Sequence, residues 1–183
     1  MIVLPEQIWA ALLDEFARMG EHNERVAFLD GVRVGDKGTV TTLTLPDADL
    51  DPEYYEISAD AMSQAGQHLR EYRLARLAQV HTHGGLMTAH SPFDDQLGYS
   101  QITGAVSIVL PQHARLRPSP LDGTVHLKTE TCWMPLDAGE TADFIHLVPS
   151  QLDFRRPEWT AFPTATKAPS TGFLRRLRKL LRL

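Results

Sequence analysis

The tightest constraint on this chain is the way its hydrophobic period switches between two values. Val26-Ala-Phe-Leu29 and Thr39-Val-Thr-Thr-Leu-Thr-Leu45 are β-rich runs, parted by Asp30-Gly31 and Gly35-Asp-Lys-Gly38, and read as neighbouring strands. Ile8, Trp9, Leu12, Leu13 and Phe16 instead recur at helical spacing between Pro5 and Gly20, which predicts an amphipathic helix covering a sheet. A second helix starts at Ser58 with Met62, Ala65, Leu69 and Tyr72 on one face, after which Leu77-Ala-Gln-Val80 runs extended into His81. Residues 104–110, 125–128, 132–134 and 144–148 are further strand candidates, while the polar stretch 46–53 interrupts the pattern. The expectation is an α/β (α+β) fold in which a central mixed β-sheet is flanked by helices in a single domain.

A chain of 183 residues that is 43% hydrophobic can bury one ordinary core. The predicted domain spans 1–148, followed by an irregular Pro- and Thr-containing linker or wrap over 149–172. Residues 173–183 form a basic amphipathic segment, with Phe173, Leu174, Leu177, Leu180, Leu181 and Leu183 on one helical face and Arg175, Arg176, Arg178, Lys179 and Arg182 on the other. A net charge of -5 offers no basis for nucleic-acid binding. The single Cys132 excludes an intrachain disulfide framework, and its neighbours Trp133 and Met134 suggest a strand side chain in or near the core. With neither a signal peptide nor a spanning apolar run, a cytoplasmic protein is expected, touching membrane only through its basic C-terminal segment.

The chemistry centres on His81-Thr-His83. Residues two apart on a strand project to the same face about 7 Å apart, so two imidazoles can converge on one metal. After Gly84-Gly85 the chain turns through residues 86–90 into Ser91-Pro-Phe-Asp94, which brings Asp94 onto the first turn of a helix. Two neutral imidazoles and a carboxylate suit Zn²⁺ and leave a fourth position for water. Each element also has a plainer reading: a histidine pair at a sheet edge, and a Ser N-cap with an acidic third position. His90 reads as a solvent-facing loop histidine, and His126 and the other histidines have no ligand-like spacing.

Taken together, His81-Thr82-His83, seven intervening residues, and Ser91-Pro92-Phe93-Asp94 resemble the JAMM motif of the JAB/MPN zinc metalloproteases. The remaining element of that motif is an upstream glutamate, and Glu24 fits it because it leads an apolar run ending in Gly31; Glu21 is the competitor. The resemblance implies an MPN/JAB-like fold, a Zn²⁺ held by His81, His83 and Asp94, Glu24 as general base and acid, and Ser91 as an oxyanion donor. It also implies a deubiquitinase-like isopeptidase or peptidase of bacterial type. Such an enzyme acts on a ubiquitin-like protein or its conjugates, with activating or conjugating enzymes of the same pathway as further partners. Residues 46–55, including Tyr54 and Tyr55, are candidates for substrate contact. Two alternatives are a catalytically silent MPN-like assembly scaffold and a metal-dependent amidohydrolase of small substrates.

Overall fold

The computed structural model describes residues 1–20, 22–152 and 154. Met1–Ser150 form one compact unit. Glu21, most of the segment 149–172 and all of the basic segment 173–183 lie outside the described residues.

In chain order the elements are β1 (Ile2–Pro5), α1 (Glu6–Arg18), β2 (Val26–Val34), β3 (Lys37–Thr44), β4 (Ala48–Leu50), β5 (Tyr55–Ile57), α2 (Ala59–Tyr72), β6 (Ala75–Thr82), α3 (Pro92–Leu97), β7 (Val106–Leu110), β8 (Thr124–Lys128), β9 (Trp133–Pro135), α4 (Ala138–Phe144) and β10 (Ile145–Val148). Eight strands form a curled mixed sheet in the order β10-β1-β3-β2-β6-β7-β8-β9, and β4 pairs with β5 in a separate hairpin. The fold is therefore mixed α+β, with a large sheet flanked by helices. β1 runs parallel to both of its neighbours, β10 and β3, and β6 runs parallel to β7.

The two faces of the sheet differ in chemistry. On one, Ala27, Leu29, Ala78, Val80, Ile108 and Val125 join Trp9, Leu12, Leu13 and Phe16 of α1 in the hydrophobic core. The indole of Trp9 donates to the carbonyl of Pro118 at 2.9 Å, so its one polar group is satisfied inside that core. Strand alternation sends the residues between these to the other face. Register places Phe28 beside Gln79, Gln79 beside Ser107 and Ser107 beside His126, a row crossing the middle of the sheet. Three of its four members are polar, and Gln79, Ser107 and His126 are all buried. Such groups are expensive to bury without partners, so this face holds more than packing.

Several elements differ from the sequence expectation. β1 is only four residues long and is built on pairing with β10, more than 140 residues away in the chain. The stretch 46–53, expected as a polar interruption, carries β4 and with β5 makes a hairpin. Phe144 ends α4, a helix capped by Asp137, and the last strand begins at Ile145. Cys132 is exposed, ahead of β9, and not packed in the core; its backbone instead closes a turn with Thr129.

Candidate metal centre

His81 lies near the end of β6, and His83 follows just beyond it, so both imidazoles reach the polar face of the sheet. Their ring centroids stand 5.2 Å apart. Asp94 arrives from α3, whose N-terminus is a reciprocal capping box. The Asp94 amide donates to Ser91 Oγ at 3.2 Å, and the Ser91 amide donates to Asp94 Oδ2 at 2.7 Å. The cap thus does two things at once: it starts the helix and fixes the rotamer of a carboxylate. Asp94 Oδ1 faces His81 Nε2 at 3.2 Å, and Oδ2 faces His83 Nε2 at 3.3 Å.

These separations fit an ion between the groups. Two donors each 2.0–2.1 Å from a tetrahedral metal stand about 3.3–3.4 Å apart, whereas a charge-assisted N–H···O bond closes to about 2.7–2.9 Å. His81 Nε2 is buried and makes no hydrogen bond of acceptable geometry. The donor atoms of His81, His83 and Asp94 all lie within 4.8 Å of one another, and so form a group close enough to hold a metal ion.

The charges of the three groups differ in how they suit an ion. Complete burial lowers the pKa of His81 and outweighs the attraction of Asp94, so the ring is neutral, the form a metal requires. Burial alone would also lower His83, but the bond to Asp94 and the charge of Glu24 prevail and raise it. For Asp94 burial works upward, yet the imidazoles of His81 and His83 facing it and the Ser91 amide hold the carboxyl well below the usual range. His83 Nδ1 sits 3.0 Å from the carbonyl of Met87, which only an N–H can satisfy; in the neutral ring that a metal requires, this contact leaves His83 Nε2 bare toward Asp94.

Glu24 precedes β2 and is 6% exposed. Its amide donates to the Asp51 carbonyl at 2.8 Å, and Asn23 donates to that of Leu50 at 2.9 Å, so the β4 segment holds it in place. Glu24 lines one narrow cleft with Glu53, Tyr54, Tyr55, Ser91, Phe93 and Asp94, and the free volume of about 10 Å³ is close to that of one water. Burial raises Glu24 from 4.5 to about 7; His83 opposes the rise, and the carboxylates of Asp94, Asp51 and Glu53 add to it. Glu21 lies outside the described residues.

The two tyrosines divide their roles. Tyr54 is 44% exposed and stacks loosely on Phe93 at the cleft mouth, with ring centroids 6.3 Å apart. Tyr55 turns inward: its hydroxyl meets the side-chain amide of Gln79, and its ring lies 5.3 Å from that of His81. Burial pushes its phenol far above the ordinary value.

His90 is not the solvent-facing loop residue expected. Its side chain is 5% exposed and stacks on His126 at 3.8 Å between centroids. The two ring nitrogens of His90 lie 3.0 Å from Asp95 Oδ1 and 3.0 Å from Ser107 Oγ, which pins the loop between the metal-facing residues to the sheet. Burial, followed by the neighbouring imidazoles, drives His126 down to about 3, so it is neutral. The pairing of His90 with His126 and Ser107 is long-range and has no local signature; an amide at position 79 within an apolar run was the one visible irregularity.

The domain is thus a mixed α+β fold that presents a His-His-Asp group, with His81 and Asp94 buried and His83 partly so, on the polar face of its sheet. No family model matches the chain. The solution structure of protein DSY2949 from Desulfitobacterium hafniense is similar in fold, with a TM-score of 0.60 and 21% identity over 81% of this chain and 94% of that one. At that identity the likeness speaks for the fold alone. Among the described residues, no helix is long and apolar enough to cross a membrane.

Proposed function

We propose that this chain is a zinc-dependent peptidase of the JAMM type, cleaving the bond that follows the C-terminal carbonyl of a ubiquitin-like protein. The observation that carries the reading is the meeting of His81, His83 and Asp94, with Glu24 and Ser91 lining the cleft that contains Asp94. A divalent cation bound there would polarise the carbonyl and ease deprotonation of water.

The chain's own residues supply the rest. Glu24, tuned near neutrality, accepts the proton of the attacking water and returns it to the departing nitrogen. Ser91 Oγ accepts from the Asp94 amide, so its own O–H remains available to the carbonyl oxygen as that atom gains charge. A C-terminal tail would have to reach the cleft in extended form. Tyr54 and Phe93 form an aromatic edge at its mouth, against which such a tail can lie.

Single-turnover cleavage of a ubiquitin-like fusion by wild type and Glu24→Gln, with zinc content measured on the same samples, tests the reading. Turnover is expected to fall by about 10² to 10⁴ with zinc retained. Cleavage within a few-fold of wild type by Glu24→Gln would overturn the assigned role. A wild type that leaves every such fusion intact while hydrolysing small amides would replace the substrate class with a small-molecule amidohydrolase.

A further inference from the structure

His83 and His81 are supported differently. The Nδ1 of His83 has a backbone carbonyl to hold its proton. His81, wholly buried, has no such carbonyl within reach; the polar atom beside its Nδ1 is the side-chain amide of Gln79, at 3.5 Å. Gln79 and His81 are two apart on β6 and therefore share a face of the sheet. Gln79 is 2% exposed, on the face of the sheet that also carries Phe28 and Ser107, and its amide meets the Tyr55 hydroxyl.

We propose that Gln79 is a positioning residue for the metal centre: its side-chain carbonyl accepts the Nδ1–H of His81 and fixes the tautomer whose Nε2 is bare toward Asp94. This rests on the metal reading of His81 and is independent of which bond the protein cleaves.

The hydrogen-bond inventory decides which end of the amide is needed. In the orientation observed, Gln79 Nε2 faces both Tyr55 and His81 Nδ1, and Oε1 is buried without a partner. That arrangement requires a bare Nδ1 and places the imidazole proton on Nε2, pointing at Asp94, which suits the protein without metal. A bound cation needs Nε2 bare, which moves the proton to Nδ1 and turns the group facing Gln79 into a donor. The Tyr55 hydroxyl can be a donor as well. One carbonyl oxygen with two lone pairs accepts both, and an NH₂ group accepts neither. A half-turn of the amide about its last torsion therefore converts the metal-free arrangement into the metal-competent one, with the backbone unmoved. One polar end of Gln79 is unpartnered in either orientation, so internal hydrogen bonding does not favour the donor orientation. Tyr55 holds the amide in the plane where the exchange occurs.

The test uses the full chain and Zn²⁺ alone. Dissociation constants are measured by competition with a chromophoric chelator for wild type, Gln79→Leu, Gln79→Glu and His81→Ala, with thermal melts of the metal-free proteins alongside. Loss of an outer partner to a ligating histidine typically costs 10–100-fold in affinity, and Gln79→Leu should fall in that range; it also deprives the Tyr55 hydroxyl of its partner, so a lower metal-free melting point is expected as well and Gln79→Glu, which keeps an acceptor there, is the control. Gln79→Glu offers only acceptors and should bind zinc within about three-fold of wild type or tighter, an outcome that a merely space-filling role does not produce. In the zinc-loaded wild type, ¹⁵N-edited spectra of the imidazoles should show His81 protonated at Nδ1. Zinc binding by Gln79→Leu within two-fold of wild type, or equal weakening by Gln79→Glu and Gln79→Leu, would overturn the role of Gln79. His81→Ala separates the two failures: if it binds as tightly as wild type, the metal site itself is wrong and the role of Gln79 falls with it.

Discussion

Glu24 is held in a state that the metal-free protein resists, and this can be measured without any substrate. An unfolded glutamate releases its proton near 4.5, whereas Glu24 in the fold keeps it until about 7. Between those values the native state binds more protons than the unfolded chain, so the stabilising contribution of the protonated group is complete below about 4.5 and is lost as pH rises through 7. At about 1.4 kcal/mol per tenfold change in proton affinity, the rise corresponds to about 3 kcal/mol. Solvent at the cleft mouth screens the neighbouring carboxylates, so about 1–2 kcal/mol is the expected effect. Glu24→Gln preserves size and hydrogen-bonding capacity but cannot ionise. Urea unfolding of chelator-treated wild type and Glu24→Gln at pH 4 and pH 8 should give nearly equal stabilities at the lower pH, where the wild-type group is largely protonated in both the folded and the unfolded chain. At pH 8 the variant should be the more stable by that 1–2 kcal/mol. A difference independent of pH, or a wild type that is more stable at pH 8, would refute the claim that burial and its carboxylate neighbours strain Glu24.

Two further outcomes follow from the geometry. Alanine at His81, His83 or Asp94 should lower zinc content after dialysis and activity in parallel, and chelation of the wild type should reproduce the loss; full zinc occupancy in all three variants would rule the site out. Ser91→Ala removes one side of the capping box, at a cost of about 1 kcal/mol in a denaturant titration. It should also lower kcat by about 10² at unchanged zinc content if the hydroxyl donates to the carbonyl oxygen; a loss of stability with full turnover would leave it as a helix cap alone.

What could be read from the sequence is what depends on nearby residues. The period of two along β6 placed His81 and His83 together, and the Ser91 to Asp94 spacing placed a carboxylate on the first turn of α3, because both are set by backbone geometry within one element. The central strands were legible for the same reason, as buried apolar runs. β1 was not: four residues, one of them Pro5, carry little periodicity, and their strand state depends on β10 and β3. The β4–β5 hairpin hid inside an acidic stretch whose composition reads as loop, although its backbone ties down Glu24. His90 was misplaced because its burial comes from His126 and Ser107, on strands reached only after the chain has crossed the sheet.

In the mechanism proposed above, the way each residue is held decides which one is left to move a proton. His83 has the Met87 carbonyl, and Asp94 has the Ser91 amide and two imidazoles. His81 has Gln79 beside it. Each of these contacts favours one orientation of the group it meets, which suits a ligand and is wrong for a shuttle, since a residue that accepts and returns a proton must not be trapped in either form. Glu24 differs from all three. Its backbone is fixed by Asp51, but burial and the carboxylates around it oppose ionisation while His83 favours it, and the balance falls near neutral pH. Within this group, the side chain with the least settled charge is therefore the one suited to carry the proton, and the assignment of roles follows from how firmly each neighbour is held.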